Sequence, residues 1–123
     1  MAKILVADDS EDILGYMRLA LTATHHQVIL ARNGQEAVEL ARRESPDLIF
    51  MDLMMPVMDG VEAAHTLRDG IATRDIPIVA ISARNPSGEA NQYFDLFMPK
   101  PCRFVEIVGI VNTICRRLVA AAC

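Results

Sequence analysis

The sequence predicts an α/β fold: a doubly wound, five-stranded parallel sheet with helices on both faces. Three observations carry this. Short apolar runs alternate with amphipathic stretches about five times along the 123 residues. The central runs are apolar at successive positions, which marks strands buried on both faces, as in parallel sheets covered by helices. No repeat, linker or low-complexity segment divides the chain, and its length suits a single domain with its own core, residues 1–123.

The elements run in order. "KILVA" (3–7) is short and β-branched, a buried strand. "DSEDILGYMRLALTAT" puts Ile13, Met17, Ala20 and Leu21 on one helical face, with Ser10 or Asp9 as cap and Glu11 and Asp12 at the positive end of the dipole. "QVILA" (27–31) is a second strand, Asn33-Gly34 a turn signal, and Ala37, Val38, Leu40 and Ala41 mark a second helix that Ser45-Pro46 ends. "DLIFM" (47–51) is the third strand, Gly60 to Leu67 opens a third helix, and "IPIVAIS" (76–82) is the fourth strand. "DLFM" (95–98) is a short fifth strand. The final helix, "CRFVEIVGIVNTICRRLV", sets Phe104, Ile107, Val108, Val111, Ile114, Cys115 and Leu118 on its inner face.

The stretch 83–93 is near the minimum for a strand-helix-strand crossover, which needs at least about 10–12 residues including its helix. Asn85-Pro86 reads as a turn, and Ser87-Gly88 weakens any helix that starts there. A fourth helix of at most two turns, or an irregular loop, is expected.

Composition narrows the function. Net charge is −4, which argues against broad binding to nucleic-acid phosphates. No apolar run approaches a membrane span, and the N-terminal run is too short for a signal peptide. Cys102, Cys115 and Cys123 show neither metal nor disulfide spacing; free thiols fit a reducing compartment, and a cytoplasmic protein is expected.

Parallel strands place their carboxyl ends on one edge of the sheet, where functional groups collect in such folds. Asp8-Asp9 ends strand one, Asp52 strand three and Ser82 strand four, and Lys100 comes after strand five. Three crowded carboxylates raise one another's pKa unless cations join them, and one lysine cannot balance three charges. A hard divalent ion with oxygen ligands, Mg²⁺, is the natural remainder. A carboxylate beside such an ion can attack phosphorus to give an acyl phosphate. A transferring phosphoryl group then needs positive charge and donors around its oxygens, which the ion, Lys100 and Ser82 supply.

"KILVADDSED", "SPDLIFMDLMMPVMDGVEA", "IPIVAISA" and "MPKP", in this order over nearly the whole chain, resemble the response-regulator receiver domains of two-component signalling. The resemblance implies a flavodoxin-like sheet of order 2-1-3-4-5. It implies Asp52 as phosphoacceptor, Asp8 and Asp9 with Asp52 and the Met54 carbonyl holding Mg²⁺, and Lys100 pairing with the phosphoryl group. It further implies Ser82 as switch hydroxyl, Phe97 as switch aromatic, a cis Lys100-Pro101 peptide, and a loop shaped by Pro56 and Gly60. The expected partners are a histidine kinase or histidine phosphotransfer protein and a downstream protein target, with no nucleic acid or membrane bound by this domain. Self-catalysed phosphorylation and slow dephosphorylation are expected rather than enzyme turnover.

Taken singly, these residues have plainer roles. A lone strand-end Asp usually forms a turn, Phe97 is more often core, and half of Met51, Met54, Met55 and Met58 should be packing residues. His25-His26 suits a helix end. Three rival readings remain. An aspartyl-nucleophile phosphatase would carry Asp-x-Asp after strand one, where this chain has adjacent acids. A flavodoxin-type carrier would need a Ser/Thr/Gly phosphate loop where "DDSED" stands. A receiver-like interaction module that is never phosphorylated would not need all five groups.

Overall fold

The computed structural model describes residues 2–83 and 88–122. Five strands, β1 (Lys3–Ala7), β2 (Gln27–Ala31), β3 (Leu48–Asp52), β4 (Ile78–Ser82) and β5 (Leu96–Pro99), form one parallel sheet in the order β2-β1-β3-β4-β5. The helices are α1 (Glu11–Ala23), α2 (Gly34–Glu44), α3 (Gly60–Asp69) and α4 (Phe104–Ala122).

The two-residue period of a strand explains the unbroken apolar runs. Ile4 and Val6 of β1, Leu48 and Phe50 of β3, and Val79 and Ile81 of β4 face one side, under α1 and α4. Leu5, Ala7, Ile49, Met51 and Ile78 face the other, under α2 and α3. β3 and β4 are buried at every position, whereas β2, an edge strand, is only partly so.

Each of the first three helices starts on a side-chain cap. Ser10 accepts from Ile13 N–H, Asn33 from Glu36 N–H and Asp59 from Glu62 N–H. Ser10, not Asp9, therefore caps α1, and Asn33 is a cap as well as a turn residue. The buried stripe of α1 is Leu14, Met17, Ala20 and Leu21. Leu14 is an addition to the expected face, and Ile13 lies only at its margin. In α4, Ile107, Val111 and Ile114 are buried as expected, but Phe104 is 45% exposed because it opens the helix before the stripe reaches the sheet.

The crossover from β4 to β5 is short. Gly88–Tyr93 forms a six-residue 3₁₀ segment, within the two turns expected, and residues 84–87 lie outside the described set. The end of the crossover is pinned to α3. Arg68 donates to the carbonyls of Tyr93 (3.1 Å), Arg74 (2.7 Å) and Ile76 (2.8 Å) and to Asp95 Oδ2 (2.7 Å). His65 stacks on Tyr93 with centroids 4.9 Å apart.

Candidate functional site

The period that builds the core also aims the site. Asp8 continues the row of Ile4 and Val6, and Asp52 that of Leu48 and Phe50. Asp8 N–H bonds to Ala31 C=O at 3.0 Å, so the sheet ladder fixes its backbone. Both carboxylates emerge at the carboxyl edge of adjacent strands, where Lys100 arrives from beyond β5. Lys100 Nζ lies 3.0 Å from Asp8 Oδ2 and 3.3 Å from Asp52 Oδ2. Asp8 is fully buried and Asp52 is 3% exposed.

Asp9 sits at the exposed rim. One carboxylate oxygen from each of Asp8, Asp9 and Asp52 lies within 4.8 Å of the others. Asp8 Oδ1 accepts Ser10 N–H at 2.9 Å, while the buried Oδ2 accepts no hydrogen bond from the described residues. Its contact with Lys100 is one of charge. The three carboxylates form an oxygen-only donor set that fits a hard divalent cation such as Mg²⁺.

Burial, then the neighbouring Asp8 carboxylate, push the Asp52 carboxyl above its ordinary value; Lys100 and the Met54 N–H pull it partly back. That N–H is 3.4 Å from Asp52 Oδ1. Burial draws the Lys100 ammonium down, but the approach of Asp8 and then Asp52 outweighs it and leaves its pKa above the ordinary value.

Ser82 is buried, one residue beyond Ile81, the register partner of Asp52. Its carbonyl accepts Lys100 N–H at 3.0 Å, which ties the β4 end to the lysine's backbone. Phe97 is half-buried on β5, opposite Ala80. The Lys100-Pro101 peptide is cis. Of the four methionines, Met51 is buried, Met55 and Met58 pack partly against the α2–α3 core, and Met54 is 76% exposed. Asp9, Met54, Met55, Pro56 and Asp59 line an open groove. His26 is occupied structurally: its Nδ1 accepts Ala2 N–H at 3.0 Å.

An apolar cleft of about 410 Å³ between α1 and Lys100-Pro101-Cys102, lined also by Ile13, Tyr16 and Met17, was not anticipated from sequence. Its walls are some 80 residues apart in the chain, and only the order of the strands brings them together. The depth of Asp8 relative to Asp9 was legible in principle, since Asp8 shares the parity of Ile4 and Val6.

The parallel sheet of this order gathers an acidic cluster and a lysine at its carboxyl edge, with no Ser/Thr/Gly phosphate loop after β1. The family model "Response regulator receiver domain" matches residues 4–112, and the chain belongs to that family. Receivers are signalling switches rather than enzymes in the ordinary sense. Among relatives, the response regulator PleD of Caulobacter vibrioides is 36% identical over 119 residues, covering 94% of this chain and 26% of PleD. The response regulator MprA of Mycobacterium leprae is 32% identical, covering 94% of this chain and 51% of MprA. The chain thus spans about a quarter to a half of the length of these relatives.

Among solved structures, the receiver domain of AraT from Geobacillus stearothermophilus superposes with TM-score 0.87 at 26% identity, covering 99% of this chain and 98% of that one. The receiver domain of a Pseudomonas aeruginosa sensor histidine kinase, solved with a magnesium ion in its active-site cleft, gives 0.84 at 28% identity, covering 91% and 95%. Among the described residues no helix is long and apolar enough to cross a membrane.

Proposed function

We propose that this chain is a phosphoacceptor switch over residues 1–123: Asp52 receives a phosphoryl group from a histidine kinase or histidine phosphotransfer protein, and the domain then changes its binding to a downstream protein. The observation that carries the reading is the single ammonium of Lys100 between the buried carboxylates of Asp8 and Asp52, at 3.0 and 3.3 Å. A purely structural strand edge has no use for two buried acids sharing one base.

Asp8, Asp9 and Asp52, with the Met54 carbonyl, would hold Mg²⁺, which when bound would supply charge neutralisation for the phosphoryl oxygens. Asp52 presents a carboxylate oxygen in line with the donor's phosphorus–nitrogen bond. Its attack forms the acyl phosphate and releases the donor imidazole. Lys100, already 3.3 Å from Asp52, stays beside the new dianion and pairs with it. The added group brings roughly −1.5 to −2 charges and three acceptor oxygens. Ser82 donates to one of them, and its shift frees space into which the half-buried Phe97 turns. No histidine belongs to the site, so hydrolysis uses water and is slow. The domain works in the cytoplasm, without binding nucleic acid or membrane.

The test is mass spectrometry after incubation with acetyl phosphate and Mg²⁺. One acid-labile phosphoryl group is expected on the wild type and none on Asp52→Asn. Equal modification of the two proteins refutes the assignment.

A further inference from the structure

The segment from Leu53 to Asp59, directly after the acceptor, has no regular structure. Three backbone hydrogen bonds set its path: Gly60 N–H to Leu53 C=O (3.0 Å), Met58 N–H to Pro56 C=O (2.7 Å) and Gly34 N–H to Met58 C=O (2.9 Å). The second closes a γ-turn with Val57 at its apex, at φ 69°. A β-branched residue avoids the left-handed region, so this conformation persists only where its surroundings impose it. Val57 is 76% exposed, so packing of its own side chain does not impose it. The constraint comes from the flanks.

One flank is Gly60, where a Cβ would collide with the Asp52 carbonyl oxygen. The other is Gly34, on a different helix. A Cβ at Gly34 would collide with the Met58 carbonyl oxygen and stand 2.9 Å from its carbon and 3.0 Å from the Asp59 oxygen. The start of α2 thus meets the loop backbone to backbone. Displacement of Met58 passes through the γ-turn and Pro56 to Met54, whose N–H lies 3.4 Å from Asp52 Oδ1.

We infer that Gly34 is a positioning residue for the acceptor site: its missing side chain and its N–H hold the Met58 carbonyl, and through it the loop that carries Met54. The inference rests on the function proposed above and adds to it a residue that touches none of the reacting groups.

The test uses the full chain and Gly34→Ala, well below the melting temperature of each. Mg²⁺ affinity by calorimetry should fall about fivefold, and the rate of phosphorylation by acetyl phosphate about tenfold. Asn33→Ala, which removes only the α2 cap, should lower the melting temperature and leave both quantities within about twofold, as a change in stability alone does. Adding Val57→Gly to Gly34→Ala should restore much of the Mg²⁺ affinity, because glycine lets the apex absorb the shift. A Gly34→Ala protein with lowered stability but unchanged affinity and rate overturns the inference, as does an equal loss in Asn33→Ala.

If Gly34→Ala does not fold, amide exchange in the wild type takes its place. Coupling is reciprocal, so Mg²⁺ should slow exchange at Gly34 N–H; slowing confined to residues 9 and 52–54 overturns the inference. A wild type that takes up no phosphoryl group defeats the proposed function instead. The Mg²⁺ measurements still decide the role of Gly34 in that event.

Discussion

Replacing Lys100 with Met removes the only cation that contacts Asp8 and Asp52 among the described residues. At an effective dielectric near 20, unit charges at the observed 3.0 and 3.3 Å attract by about 5 kcal/mol each. The net loss is smaller. The lysine itself no longer needs desolvating, although 23% of its side chain is exposed already. More decisively, the metal-free fold escapes the repulsion by protonating one carboxyl. From an ordinary value near 3.9, that costs about 4 kcal/mol at pH 7 and about 1.5 kcal/mol at pH 5. These are ceilings, so a loss of about 3 kcal/mol at pH 7 and about 1 kcal/mol at pH 5 is expected.

The sign is set by Asp52, whose folded pKa is already raised by burial and by Asp8. Without Lys100 it rises further. A carboxyl with a raised folded pKa binds its proton more tightly in the native state, so its stability contribution is complete below the unfolded value and disappears as pH climbs through the folded one. The deficit of the variant must therefore widen from pH 5 to pH 7. At about 4 °C per kcal/mol for a domain of this size, the melting temperature should fall by about 12 °C at pH 7. Thermal melts by circular dichroism in EDTA provide the measurement. A deficit equal at the two pH values, or larger at pH 5, refutes the reasoning.

The same geometry dictates three other outcomes. Millimolar Mg²⁺ should raise the melting temperature of the wild type through binding to the native state alone, and raise it less in Asp9→Ala; equal rises remove Asp9 from the ligand set. Ser82→Ala should still accept the phosphoryl group yet gain no affinity for its target afterwards, and a gain that survives counts against the coupling of Ser82 to Phe97. Arg68→Met takes the guanidinium donor from three carbonyls and from Asp95, whose Oδ2 keeps the Ile78 N–H, and should cost about 2 kcal/mol. Amides of residues 88–93, expected to exchange faster than those of α4 already, should exchange faster still in Arg68→Met, and no change there would deny Arg68 its anchoring role.

The strands and the acidic pocket were legible because both depend on local pattern. The apolar runs of β1, β3 and β4 stop at the residues that carry polar groups, and parallel order places those ends together. What pattern could not show was depth. Ile13 and Leu14 are both apolar and adjacent, and only the crossing of α1 over the sheet decides that Leu14 is buried. Phe104 fits the periodicity of α4 but lies before the helix reaches the core. Arg68 carries no local signal of its role, because its acceptors are three carbonyls and Asp95, as far as 27 residues away. Gly34 reads as half of an Asn-Gly turn, since nothing local reveals that the Met58 backbone lies against it. In each case a contact distant in sequence chose among locally equal options.

The strand order has a consequence for how the molecule comes into being. Asp8 and Asp52 meet as soon as β1 and β3 pair, but their counter-ion belongs to residue 100, beyond an edge strand that joins the sheet through β4. During synthesis the two acids are made well before the lysine, so any nascent sheet without β5 holds them together uncompensated. The paired charges of the finished site therefore penalise every partly assembled form of the protein. On the reading proposed above, a divalent ion held by the three carboxylates would stand in for the absent ammonium until the last strand docks.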